Sequence, residues 1–241
     1  MSRTTVQRPG RQRSPRVERR RAPRWKVILV IALTVCGLAG IGAAVYFSPL
    51  LAVREIEVQT GPSVPEEMVR AVVEVEPETP LLQVSTFAVA SRVAELPKVA
   101  EVSVQRSYPS TLRIVVTERI PVVFYDNPAG PHLMDAAAVT FAIEPPPEGL
   151  PKLDVADPGE EDAATRAALD VLLSLTPEVR DHVVEVTAES PADVRLTLGD
   201  GRTVIWGSAE HTGRKARVAN ALLTQPGQVY DVSSPELPTI R

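Results

Sequence analysis

VAEVSVQRSYPSTLRIVV, residues 99–116, reads as two strands and the turn between them. Val102 and Val104 share one face of the first strand, and Leu112, Ile114 and Val116 alternate along the second. Tyr108-Pro109-Ser110 supplies the turn, because proline fixes its backbone and cannot continue a ladder. Upstream, the apolar period lengthens. A helix is predicted from Ser85 or Thr86 to Leu96, with Phe87, Ala90, Val93, Ala94 and Leu96 as its apolar residues and Pro97 as the stop. Before it, Ser63-Val64-Pro65-Glu66 has the form of a capping box with proline near the first turn. Met68, Val69, Val72 and Val73 form that helix's stripe, and Pro77 and Pro80 close it. Val53 to Val58 is an alternating run, hence a first strand. The order strand, helix, helix, strand, strand buries its apolar sides as a three-stranded sheet with both helices on one face. The predicted class is α+β.

Further upstream, VILVIALTVCGLAGIGAAVYF (residues 27–47) has no charge in 21 residues. As a helix it is about 31 Å long, against a hydrocarbon core of about 30 Å. A cleaved signal core runs to about 15 apolar residues, so this stretch reads as a retained anchor. Residues 1–26 hold nine Arg and one Lys against Glu18 alone, whereas the remainder carries 16 basic and 29 acidic residues. Positive residues stay on the cytoplasmic side, which puts the tail inside and the bulk outside. Trp25 and Tyr46 flank the span as interfacial anchors do. Cys36, Gly40 and Ala44 fall at i, i+4 and i+8, a smooth face that could pack another membrane helix. The expected segments are a disordered basic tail (1–24), a transmembrane helix (25–47), and outer domains over 48–120 and 121–241. Lipid and topology suffice to explain the Arg cluster, and nucleic acid is not expected as a partner.

Downstream of Ile120-Pro121 the strands shorten. Val122 to Tyr125, Leu133 to Asp135 and Val139 to Phe141 are separated by Asn127-Pro128 and Gly130-Pro131. Glu144 to Pro147 is a stiff extended connector. Acids at 160–162 suit a helix start. The stripe that follows is Ala164, Ala168, Val171, Leu172 and Leu175. Strands are expected at Val183–Thr187, Val194–Leu198 and Thr203–Trp206, the last two joined across Gly199-Asp200-Gly201. A helix over about 209–224 presents Val218, Ala219, Leu222 and Leu223. Gln228 to Val232 then forms a last strand. Little chain remains to cover it, so Tyr230, Asp231, Val232, Ser233 and Ser234 are expected to present an open edge, with Pro235 and Pro238 beside it.

No catalytic constellation is visible. His132, His182 and His211 lack metal-ligand spacing. Asp135 stands three residues from His132 on a probable strand and so faces the other way. His211 and Lys215 are one helical turn apart, as on a solvated face. The one cysteine, Cys36, excludes an intrachain disulfide. No cofactor, metal or small-molecule substrate is expected.

These motifs resemble the FtsQ/DivIB family of bacterial cell-division proteins. The resemblance is carried by Val53–Val58, Leu96-Pro97-Lys98-Val99, the run Val104–Ile114 and Glu118-Arg119-Ile120-Pro121-Val122. Leu150-Pro151, Trp206-Gly207 before a Lys-bearing helix, and Tyr230–Pro235 fit as well. Many relatives have Trp where Tyr108 stands. The resemblance implies a POTRA domain followed by a β domain, no catalysis, and a single-pass protein of the cell membrane at the division septum. It also implies binding of small coiled-coil partners of the FtsB/DivIC and FtsL type through the last strand. Arg106, Tyr108 and Pro109 are expected to shape the hairpin, and Glu118 and Arg119 to pair across the domain junction at Pro121. A POTRA protein of polypeptide transport would carry a barrel downstream, for which the two interrupting helices leave no room. An anchored wall enzyme would need a nucleophile that the motifs do not supply.

Overall fold

The computed structural model describes residues 24–46, 51–76 and 78–241. The basic tail expected to be disordered lies outside them. Arg24–Tyr46 is one helix of 23 residues, α1. Among the described residues no helix is long and apolar enough to cross a membrane. The side chains at 24, 27, 41 and 43–46 are not among those described.

The first outer domain has the expected order: β1 (Glu55–Gln59), α2 (Glu66–Val73), α3 (Thr86–Ala94), β2 (Val99–Ser107) and β3 (Thr111–Glu118). The sheet order is β1-β3-β2, with β1 parallel and β2 antiparallel to β3. The middle strand is the last in sequence. Val69, Val73, Val89, Val93, Leu112, Ile114 and Val116 form its core with Leu81 and Val84 from the α2–α3 loop.

The start of α2 differs from expectation. Ser63 makes no capping box: Pro65 is the N-cap of α2, with no side-chain cap. Glu118 instead receives the Val64 N–H at 2.7 Å, and Gly61 is needed there because a Cβ would meet its carboxylate at 2.6 Å. Ser85 does cap α3, accepting from the Ala88 N–H. The buried face of α3, however, is Val89 and Val93, which turns Phe87, two residues away, to the outside at 82% exposure. Two residues are about 200° of helix, so both positions cannot face one core.

The second domain is one sheet in the order β12-β11-β10-β9-β8-β7-β4-β5-β6. Its strands are β4 (Pro121–Asn127), β5 (Gly130–Asp135), β6 (Thr140–Ile143), β7 (Lys152–Asp154), β8 (Val183–Ser190), β9 (Asp193–Leu198), β10 (Thr203–Gly207), β11 (Val229–Asp231) and β12 (Thr239–Ile240). Helices α4 (Ala163–Ser174) and α6 (Thr212–Leu222) cross between the parallel pairs β7/β8 and β10/β11. They pack against each other and share one core with the sheet. The short α5 (Pro177–Arg180) follows α4. Asp162 caps α4 as its acid position suggests, accepting from the Thr165 N–H. The expected stripe of α4 is buried throughout.

Arg106 locks the first domain's hairpin to its helical loop. Its guanidinium donates to the carbonyls of Leu81 at 2.8 Å and Val84 at 2.7 Å. Arg106→Met leaves both carbonyls without a donor, an expected loss of about 2 kcal/mol, since bonds from ionised donors are worth about 1.5–3 kcal/mol each and some rehydration follows. Urea denaturation of the outer region checks this.

Candidate interaction edge and domain junction

The C-terminal edge is built from β10, β11 and the returning tail. Tyr230 lies opposite Val204 of β10 and Ile240 of β12, so β11 is paired on both sides. This corrects the expected open edge at 230–234. Tyr230 and Val232 are fully buried core residues. The Tyr230 hydroxyl reaches the carbonyls of Gln225 and Gly227, and the Arg202 guanidinium lies 5.7 Å from its ring centre. The Val232 N–H donates to Ile205 O. Asp231 turns the chain outward by accepting from both the N–H and the hydroxyl of Ser233. Ser233 and Ser234 are exposed, and Gly207 (φ 73°) leaves room for Ser233, whose Cβ would lie 3.0 Å from an added methyl.

After β11 the chain reverses and adds a strand. Arg241 exchanges both backbone bonds with Val229. In an antiparallel ladder such pairs alternate, so Ile240 is a non-bonded position whose N–H and C=O point away from β11. Among the described residues, the outward-facing edge at this end of the sheet is therefore at Ile240. Its side chain packs over Gly227, where a Cβ would come within 2.3 Å of it.

Beneath this edge lies an unanticipated buried cation. Lys215, expected on a solvated face, is 2% exposed, and its Nζ donates to the carbonyls of Trp206 at 3.1 Å and Ser208 at 2.9 Å. Burial lowers its pKa, with Glu210 and Asp231 acting in the opposite sense. The carbonyls of the β10 end thus gain a charged donor from α6, which fixes the strand beside β11. The expected helix period gave no sign of this, because a lysine is read as polar wherever it stands.

The opposite end of the sheet meets the first domain. Arg119 pairs with Asp135 of β5, and Lys98 with Glu144 at 2.8 Å. Asp135 also accepts the N–H groups of Ala137 and Val139 at 2.9 Å each, so one carboxylate shapes the β5–β6 turn and holds the junction. Arg119 crosses the junction as expected; Glu118 does not, being spent on Val64. Pro121 opens β4 directly opposite Asp135. The edge strand β6 faces α2 and the Leu96-Pro97-Lys98 corner across an apolar cleft of about 510 Å³, which Val64, Met68, Phe141 and Ile143 help to line.

The histidines are not brought together. His132 stacks on Tyr125 at 5.1 Å and its Nδ1 meets Gly130 O; His182 Nδ1 meets Glu178 O; His211 precedes α6 with φ 55°. Among the described residues no group of His, Cys, Asp and Glu could hold a metal. Tyr108 and Pro109 stand exposed in the hairpin turn. Cys36 and Gly40 lie on α1, with Cys36 exposed and open space around Gly40. Ala44, the third member of that face, lies outside the described side chains.

Two family profiles divide the outer region in the same way as its cores. "POTRA domain, FtsQ-type" matches residues 51–119, and "Cell division protein FtsQ/DivIB, C-terminal" matches residues 123–234. The chain belongs to the FtsQ/DivIB family. It is 50% identical over 216 residues to the cell division protein FtsQ of Mycolicibacterium smegmatis, covering 90% of this chain and 65% of that one. With FtsQ of Mycobacterium tuberculosis the identity is 49%, over 89% of this chain and 68% of the relative. With FtsQ of Streptomyces coelicolor it is 32%, over 95% of each. The chain thus spans about two thirds of its mycobacterial relatives. The C-terminal FtsQ/DivIB match ends at Ser234, before β12.

The Arg119–Asp135 pair is mostly shielded, at 20% and 10% side-chain exposure. Breaking a shielded pair from one side costs about 3 kcal/mol. Arg119→Met is expected to lower the unfolding free energy of the second domain by about that amount. It should also widen the distribution of interdomain distances measured by paired spin labels. An unchanged distribution would place the domain angle elsewhere.

Proposed function

We propose that this FtsQ/DivIB chain is a bitopic, non-catalytic scaffold of the division complex at the septal cell membrane. In this reading α1 spans the membrane with the basic tail inside. The outer domains recruit small coiled-coil division proteins of the FtsB/DivIC and FtsL type. Support for the span comes from α1 itself: its residues 27–46 carry no charge, and every side chain described in it is exposed. A helix apolar all round needs an apolar surrounding, either a protein core or lipid. The face made by Cys36, Gly40 and Ala44 is proposed to meet another span.

The observation that carries the binding role is the outward-pointing edge at Ile240. Unpaired N–H and C=O groups in a row are a template for another strand. A partner strand added there gains backbone bonds worth about 0.5–1.5 kcal/mol net apiece. The exposed Ser233 and Ser234, with the Asp231 turn, flank that edge as side-chain contacts. Tyr230 and Val232 act from the core by fixing β11, not by touching the partner.

The test is Ile240→Pro. It removes the outward N–H and leaves the Arg241–Val229 bonds in place, because position 240 makes no bond to β11. We expect affinity for the FtsB/DivIC-like partner to fall by about tenfold or more, as one lost bond and a ring in the ladder remove upwards of 1.4 kcal/mol. The free energy of thermal unfolding should fall by only about 1 kcal/mol, the packing of the half-buried Ile240 side chain that the smaller ring gives up. A folded variant with wild-type affinity would remove Ile240 from the site. Topology is checked independently by a reporter active only outside the membrane, which should work after Arg241 and fail before Arg3.

A further inference from the structure

The first domain has two poles. At one, β2 begins and β3 ends, and Lys98 and Arg119 reach the second domain. At the other, β2 ends, β3 begins, and the chain enters from α1. The entering segment is knitted into that second pole. Leu51 O accepts the Leu81 N–H, Ala52 bridges Pro80, and the N–H groups of Arg54 and Glu55 both reach Ser110 O. Arg106 ties the hairpin to Leu81 and Val84.

Three large apolar side chains stand exposed on segments joined at this pole: Leu82 in the loop, Phe87 at the start of α3, and Tyr108 in the hairpin turn. Single exposed apolar residues need no explanation, but three on segments that meet at one pole form a candidate contact surface. Phe87 is the most exposed large hydrophobic side chain among the described residues.

We propose that this pole rests on the lipid interface, with Phe87 and Tyr108 set among the headgroups and Leu82 beside them. The proposal depends on α1 spanning the bilayer, as inferred above. Five peptide steps separate Tyr46 from Leu51, a reach of at most about 17 Å. The headgroup layer on each face is itself about 6 Å thick. A span ending near Tyr46 therefore delivers the Leu51–Leu81 ladder to the membrane surface, and the three side chains lie on that ladder's own pole. Tyr108, with an apolar body and a polar tip, favours this layer, and Phe87 and Leu82 add apolar area beside it. Charge does not drive the contact. Exposed Glu55 and Glu78 accompany Arg54 at the pole, so docking is expected to be as firm on neutral lipid as on anionic lipid.

The experiment uses the full chain in nanodiscs of phosphatidylcholine alone. A benzophenone side chain replaces, one at a time, Phe87, Tyr108, Leu33 within α1, or Leu237 in the exposed tail of the second domain. After irradiation, mass spectrometry should find lipid adducts at positions 33, 87 and 108 and none at 237. Adducts at 33 without any at 87 and 108 would overturn the docked pole while leaving the span intact. Cross-links from 87 or 108 to a second copy of the chain would assign this surface to self-association instead. No adduct at 33 would remove the span and the docked pole together.

Discussion

A sheet has two edges, and the second domain is arranged around what happens at each. Nine strands in one open sheet leave rows of backbone donors and acceptors at β6 and at the C-terminal end. At β6 the first domain stands across a cleft, held by the Arg119–Asp135 and Lys98–Glu144 pairs. At the other end β12, a strand of two residues, pairs with β11. The β6 edge faces a neighbouring domain across that cleft; the C-terminal edge faces outward at Ile240.

The interior supports that division. Lys215 is drawn out of water to hold the carbonyls at the end of β10, a costly use of a charge that is offset by two direct bonds. Tyr230 fills the core beneath the edge with its hydroxyl bonded to the turn before β11. Neither group is placed to touch a partner; Tyr230 fixes β11, on which β12 is laid, and Lys215 fixes β10 beside it. The first domain does analogous work with Arg106 and Glu118, which bond loops to the sheet at its two poles.

Much of this was legible in the residues. The order βααββ followed from periodicity and proline stops, and the apolar stripe of α4 is buried as its spacing requires. What could not be read had physical causes. A three-residue strand such as β7 has too few positions to show a period, although it joins the two halves of the large sheet. The return of Thr239–Ile240 depends on a reversal through Ser233–Pro238, and short tails carry no pattern that announces pairing. Phe87 counts as apolar in the helical window, but the register of Val89 and Val93 turns it outward. Glu118 and Lys215 were misplaced for the same reason: a charged residue's partner is set by tertiary contact, not by its own neighbours in sequence. The resemblance to FtsQ/DivIB, by contrast, rested on motif spacing and needed no tertiary information.

The central claim is that a partner pairs with the outer edge of β12. Amide exchange measured by NMR on the outer region, with and without an FtsB/DivIC-like coiled-coil partner, tests it at the backbone. The account predicts that the Ile240 N–H, which has no bond to β11, becomes protected only when the partner is present. Partner-induced protection confined to other strands, with Ile240 still exchanging freely, would contradict it.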